Sequence, residues 1–155
     1  MKRVVRYFLT AAVVLVALVA INFLPMLTQF VPGMQRNTYN GIVVYARQSD
    51  GRDAWRIAER ISSSGLKVPE VPGATETDPI EVVVYPNRAA LARKTLGLVG
   101  MLLPSWYVGT NTTDRVLVVS PSAPGPAHTR ESVEQAALHE YARVLAYRSN
   151  RELDG

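Results

Sequence analysis

The sequence predicts an α+β domain with one core, carried behind a single N-terminal membrane helix. Three observations predict it. No residue between Arg6 and Arg36 is charged, a run of 29 residues. Three β-branched runs, at 41–46, 80–85 and 115–120, read as strands. Helix starts with cap residues and apolar periodicity follow each of them.

The membrane segment comes first. Its densest part, 8–27, is interrupted only by Thr10, Asn22 and Pro25. At ~1.5 Å per residue it measures ~30 Å, the thickness of a hydrocarbon core. A cleaved signal peptide is the alternative, but the run is long for one and no Ala-x-Ala triplet follows it. Lys2, Arg3 and Arg6 precede the helix and Arg36 alone follows it, which favours a cytoplasmic N-terminus and an extracytoplasmic domain at the cell membrane. Residues 1–36 are thus read as N-terminus, anchor and flank, and 37–155 as the domain. The chain has 17 basic and 13 acidic side chains, and the excess lies wholly before Asp50, so nothing points to nucleic acid. With no cysteine, disulfides, thiolate ligands and thiol nucleophiles are excluded.

Within the domain, 41–46 is the first strand. Ser49 and Asp50 open a helix to about Ser63, stopped by Gly65 and buried through Ala54, Ile57, Ala58 and Ile61. Arg52, Arg56 and Arg60 fall on its solvated side. Residues 66–79, with three prolines, form a loop. The near-continuous apolar run 80–85 fits a central parallel strand, and Asn87 caps a short helix ending near Gly97. Residues 106–109 and 115–120 read as a hairpin around the loop 110–114. Trp106 and Tyr107 then lie on a strand, as core aromatics or as the lining of a substrate groove. Thr129 or Ser132 caps a last helix whose apolar flank is Val133, Ala137, Leu138, Tyr141, Val144 and Leu145.

One chemical signal stands in that helix: Ala137-Leu-His-Glu-Tyr-Ala-Arg-Val-Leu145. His139-Glu140 is three-fifths of the His-Glu-x-x-His signature. In that signature, histidines at i and i+4 share one helical face and a zinc ion, and the glutamate serves as base toward metal-bound water. The fifth position here is Arg143, whose guanidinium stays protonated and offers zinc no lone pair.

This helix, with Ile80-Glu-Val-Val-Val-Tyr-Pro86 and the hairpin before it, resembles the peptidase MA-like (gluzincin) domains of membrane-anchored bacterial proteins. The resemblance covers roughly 38–150, and only the helix segment is specific. It implies a zincin-like mixed sheet with helices, truncated after the active-site helix. It implies zinc as cofactor, His139 as a ligand and Glu140 as catalytic base, with Arg143 at the second-ligand position. The family's third ligand, a glutamate in a Trp-Leu-x-Glu-Gly segment, has no counterpart, since Glu152 comes too early. His128 reads as loop surface rather than a replacement ligand. Two functions follow from the resemblance. One is a membrane-anchored zinc peptidase, incomplete or inactive as given. The other is a binding or scaffold module that keeps the fold without the metal. Either would pair an extended peptide with the hairpin edge.

Overall fold

A computed structural model of the chain describes residues 2–66 and 79–153. The fold is a mixed α+β arrangement, with four α-helices and a five-stranded mixed sheet among the described residues. The helix α1 (Lys2–Phe23) continues through a 3-10 turn, Leu24–Leu27. Over Arg3–Leu27 it is long and apolar enough to cross a membrane, and none of that apolar window is buried in the protein.

Strand β1 (Met34–Tyr39) pairs antiparallel with β2 (Ile42–Arg47). Asn40 and Gly41, with φ of 50° and 81°, form the two-residue turn between them, the left-handed geometry that matches strand twist. Helix α2 (Gly51–Ser62) follows, then β3 (Glu81–Tyr85) and α3 (Arg88–Leu96). A 3-10 segment, Gly97–Leu102, leads to β4 (Gly109–Asn111), β5 (Arg115–Val119) and α4 (Arg130–Leu153). The sheet order is β1-β2-β3-β5-β4. Strands β2, β3 and β5 run parallel, and an antiparallel strand closes each edge.

The parallel strands are buried on both faces, which explains their unbroken apolar runs. One face meets α2 and α4, and α2 buries Ala54, Ile57, Ala58 and Ile61 there as its spacing predicts. On the other face, Tyr45, Glu81, Tyr85 and Arg115 share one side through the strand register. Gln29 and Phe30, from the segment leaving α1, lie over them. The Phe30 ring lies tilted against Tyr45, centroids 4.6 Å apart, and 5.4 Å beneath the Arg115 guanidinium. Arg115 donates to Gln29 Oε1 at 2.9 Å and to Glu81 at 2.6 Å, and Tyr85 donates its phenol to the Gln29 carbonyl oxygen. The packed elements therefore begin before residue 37.

Two further expectations change. The first hairpin strand does not begin at 106: a turn closed by Tyr107 N–H to the Pro104 carbonyl oxygen holds Trp106 exposed, hydrogen bonding to β5 begins at the Val108 carbonyl, and the strand runs Gly109–Asn111. Trp106 is accordingly no core residue, and the hairpin loop shortens to 112–114. The loop expected at 66–79 lies, apart from its ends, outside the described residues.

Candidate functional site

Helix α4 begins with a reciprocal cap. Thr129 Oγ1 accepts from the Ser132 N–H at 3.2 Å, and Ser132 Oγ accepts from the Thr129 N–H at 3.0 Å. His128 stands just before it, half-buried, with Nδ1 3.1 Å from Ser132 Oγ and Nε2 2.9 Å from the Trp106 carbonyl oxygen. Both ring nitrogens are thus engaged in holding the turn. The apolar flank read from the sequence packs inward: Val133, Ala137, Tyr141, Val144 and Leu145 are buried and Leu138 is half-buried.

On that frame the three candidate residues take different surroundings. Glu140 is buried beneath the edge strand, so that a Cβ added to Gly109 would stand 3.8 Å from Glu140 Cγ. His139 and Arg143 are exposed, one helical turn apart. Arg143 reaches back over Glu140, with Nη1 3.5 Å from Oε2. That oxygen is itself buried and accepts no hydrogen bond, so the guanidinium is the positive charge that faces it. Comparison of the chain with protein families, curated proteins and solved structures found no match.

The donor set can be tested against zinc directly. A protein zinc site takes at least three nitrogen, sulfur or carboxylate ligands. Among the described residues no three His, Cys, Asp or Glu side chains come together, and Arg143 places a fixed positive charge beside the Glu140 carboxylate. These residues do not fit the ion. The side chain of Glu152 lies outside the described residues.

The sequence reading missed a second polar cluster. Asp53 is buried on α2, where it accepts from Ser120 Oγ and, at 2.8 Å, from the Ser122 N–H. Burial alone would raise its carboxyl, but these hydrogen bonds and Arg130 hold it below the ordinary range. Asp50, one turn earlier, is raised by burial and by the Asp53 charge. The signal was present, since Asp53 lies directly beside Ala54 in the i, i+4 stripe that α2 buries. Its role is to pin the loop between β5 and α4 to the start of α2.

At the sheet edge, β4 leaves backbone groups free. Val119 N–H bonds the Val108 carbonyl oxygen, and Thr112 N–H that of Arg115. By antiparallel alternation Thr110 faces β5, and the N–H and C=O groups of Gly109 and Asn111 point away from the sheet.

Proposed function

We propose that this chain is a membrane-tethered peptide-binding module: a metallopeptidase-like frame that keeps the substrate-binding edge without a catalytic metal. The supporting observation is the Arg143 guanidinium, 3.5 Å from the buried Glu140 carboxylate, at the place where the resembling family holds its ion. Helix α1 spans the cell membrane with its N-terminus in the cytoplasm, and the domain is extracytoplasmic. An antiparallel edge strand lying against the helix that bears His139-Glu140 is the arrangement expected of a zincin-like sheet. An extended peptide adds to that edge through the outward groups of Gly109 and Asn111. The zinc-peptidase reading needs further ligands, which the described residues do not supply.

The test is selection of displayed peptides against the full chain in lipid nanodiscs. Asn111→Pro removes one outward N–H and leaves the ladder to β5 intact. It should weaken selected peptides by about tenfold, the equivalent of ~1.4 kcal/mol. Glu59→Gln, on the solvent side of α2, should not. No enrichment, or equal binding to the Asn111→Pro chain, would defeat this reading.

A further inference from the structure

The junction between α1 and the domain is unusually close. Asn22 Oδ1 accepts from the Leu98 N–H at 2.8 Å and the Val99 N–H at 3.3 Å. Gly97 lies so near that a Cβ there would overlap the Asn22 carbonyl oxygen. The 3-10 segment Gly97–Leu102 is therefore fixed at the level of Asn22. From Arg6 to Asn22 the helix rises about 24 Å at ~1.5 Å per residue. A hydrocarbon layer of about 30 Å that starts at Arg6 ends about 6 Å beyond Asn22. Whatever is bonded to Asn22 is held within about 6 Å of that layer's outer boundary.

The composition of the segment suits this depth. Leu98, Val99 and Leu102 are exposed, Leu102 at 85%, and no charge occurs from Thr95 to Thr113. Beside them runs a groove of about 700 Å³, walled by Leu24, Leu27, Val31, Ala90 and Leu98, with Arg93 and Lys94 among its lining. Lys94 Nζ donates to Thr28 Oγ1 at 3.0 Å, and neither cation forms an ion pair with a described carboxylate. An apolar surface with unpaired cations beside it, at the edge of a bilayer, matches an anionic phospholipid: chains on the leucines, phosphate on the cations.

We propose that Gly97–Leu102 is a second membrane contact, with Leu98, Val99 and Leu102 immersed in the interfacial layer and Arg93 and Lys94 binding the phosphates of anionic lipids. This rests on the reading of α1 as a membrane span. It makes the domain a body seated on the bilayer, fixed at two places.

The chain has no cysteine, so single labels can be placed cleanly. Full-length chains carrying Val14→Cys, Val99→Cys or Gln135→Cys, each with a polarity-insensitive fluorophore, are reconstituted in phosphatidylcholine–phosphatidylglycerol vesicles. Quenching is then read with lipids spin-labelled near the headgroup or deep in the chain, and with aqueous iodide. The expected result is deep quenching at position 14, shallow lipid quenching at position 99, and iodide quenching alone at position 135. A position 99 label that follows iodide like position 135, while position 14 is quenched deeply, overturns this inference and leaves α1 standing. A position 14 label that escapes lipid quenching overturns the membrane reading itself. Headgroup-labelled phosphatidylglycerol should quench position 99 severalfold more than labelled phosphatidylcholine, and R93Q/K94Q should erase the difference. Equal quenching by both lipids in the parent chain overturns the phosphate assignment.

Discussion

Tyr85 donates its phenol to the carbonyl oxygen of Gln29, which joins the buried centre of the sheet to the segment leaving the apolar helix. Burial raises the phenol well above its ordinary range, so it remains a donor at every physiological pH. Tyr85→Phe should keep the ring and strand the carbonyl, at a loss of about 1 kcal/mol. Thermal unfolding of the detergent-solubilised chain should show a midpoint lower by several degrees, with no pH dependence in the difference. An unchanged midpoint would mean that water replaces the bond freely.

Gly97 adopts φ 67° and ψ −150°, a region that favours glycine, and it faces Asn22 with no room for a methyl group. Gly97→Ala should therefore destabilise by about 2 kcal/mol, from backbone strain and overlap together. Asn22→Leu keeps the helix apolar but strips the acceptor from the Leu98 and Val99 N–H groups. It should expose 97–102 to limited proteolysis at lower temperature than the parent. Equal cleavage of the two chains would show that this contact does not order the segment.

The Asp53 and Asp50 carboxyls should act in opposite directions. Asp53 is depressed in the folded chain, so its contribution is present above the unfolded aspartate value, about 3.9, and is lost as pH falls through the lower folded value. Asp50 is raised, so its ionisation burdens the folded state once pH exceeds the unfolded value, fully so above the folded one. At neutral pH Asp53→Asn should destabilise by about 1–3 kcal/mol through lost hydrogen bonds. Asp50→Asn should stabilise slightly, because no capping hydrogen bond from its side chain is lost. Urea unfolding from pH 3 to 7 separates the two, and shifts of the same sign would refute the assignment.

Arg143→His would place two imidazoles at i and i+4 on the exposed side of α4. Zinc affinity, read by competition with a chelating dye, should rise measurably over the parent chain. His139→Ala in that background should erase the gain. Peptide hydrolysis should stay absent, since two ligands leave the coordination shell incomplete. Failure of Arg143→His to bind zinc more tightly would place the two side chains on diverging paths and weaken the metallopeptidase resemblance.

Much of the architecture was legible because it rests on local signals. The strands around 42–47, 81–85 and 115–119 are β-branched, α2 and α4 carry clear stripes, and Asn87 and Thr129 cap α3 and α4 as expected, whereas Asp50 makes no capping bond at α2. Strand β1 was missed because Met-Gln-Arg-Asn-Thr-Tyr is polar and half exposed, as an edge strand is. The Asn40-Gly41 pair before β2 was the available hairpin signal. The displaced β4 depended on Pro104 turning the chain before Trp106, a choice the aromatic run disguised. At the candidate site, spacing placed His139 and Arg143 on neighbouring turns. The Glu140–Arg143 contact, three residues apart on one helix, follows from the i, i+3 spacing. No sequence rule said that Glu140 would sink under Gly109, which is an outcome of packing between segments some 30 residues apart.

Phe30 and Gln29 pack onto one face of the sheet, so the segment leaving α1 is held against the domain within a few residues of the helix end. A domain on a flexible tether would sweep a volume and meet dissolved molecules at any height. On the proposed membrane reading, this one, with a second contact on the lipid, would be confined to a thin layer and turn only about the bilayer normal. Its encounters would become two-dimensional, and a target carried in the same bilayer would gain the high effective concentration that shared confinement confers. Soluble peptides would have to descend to the surface to be met at all.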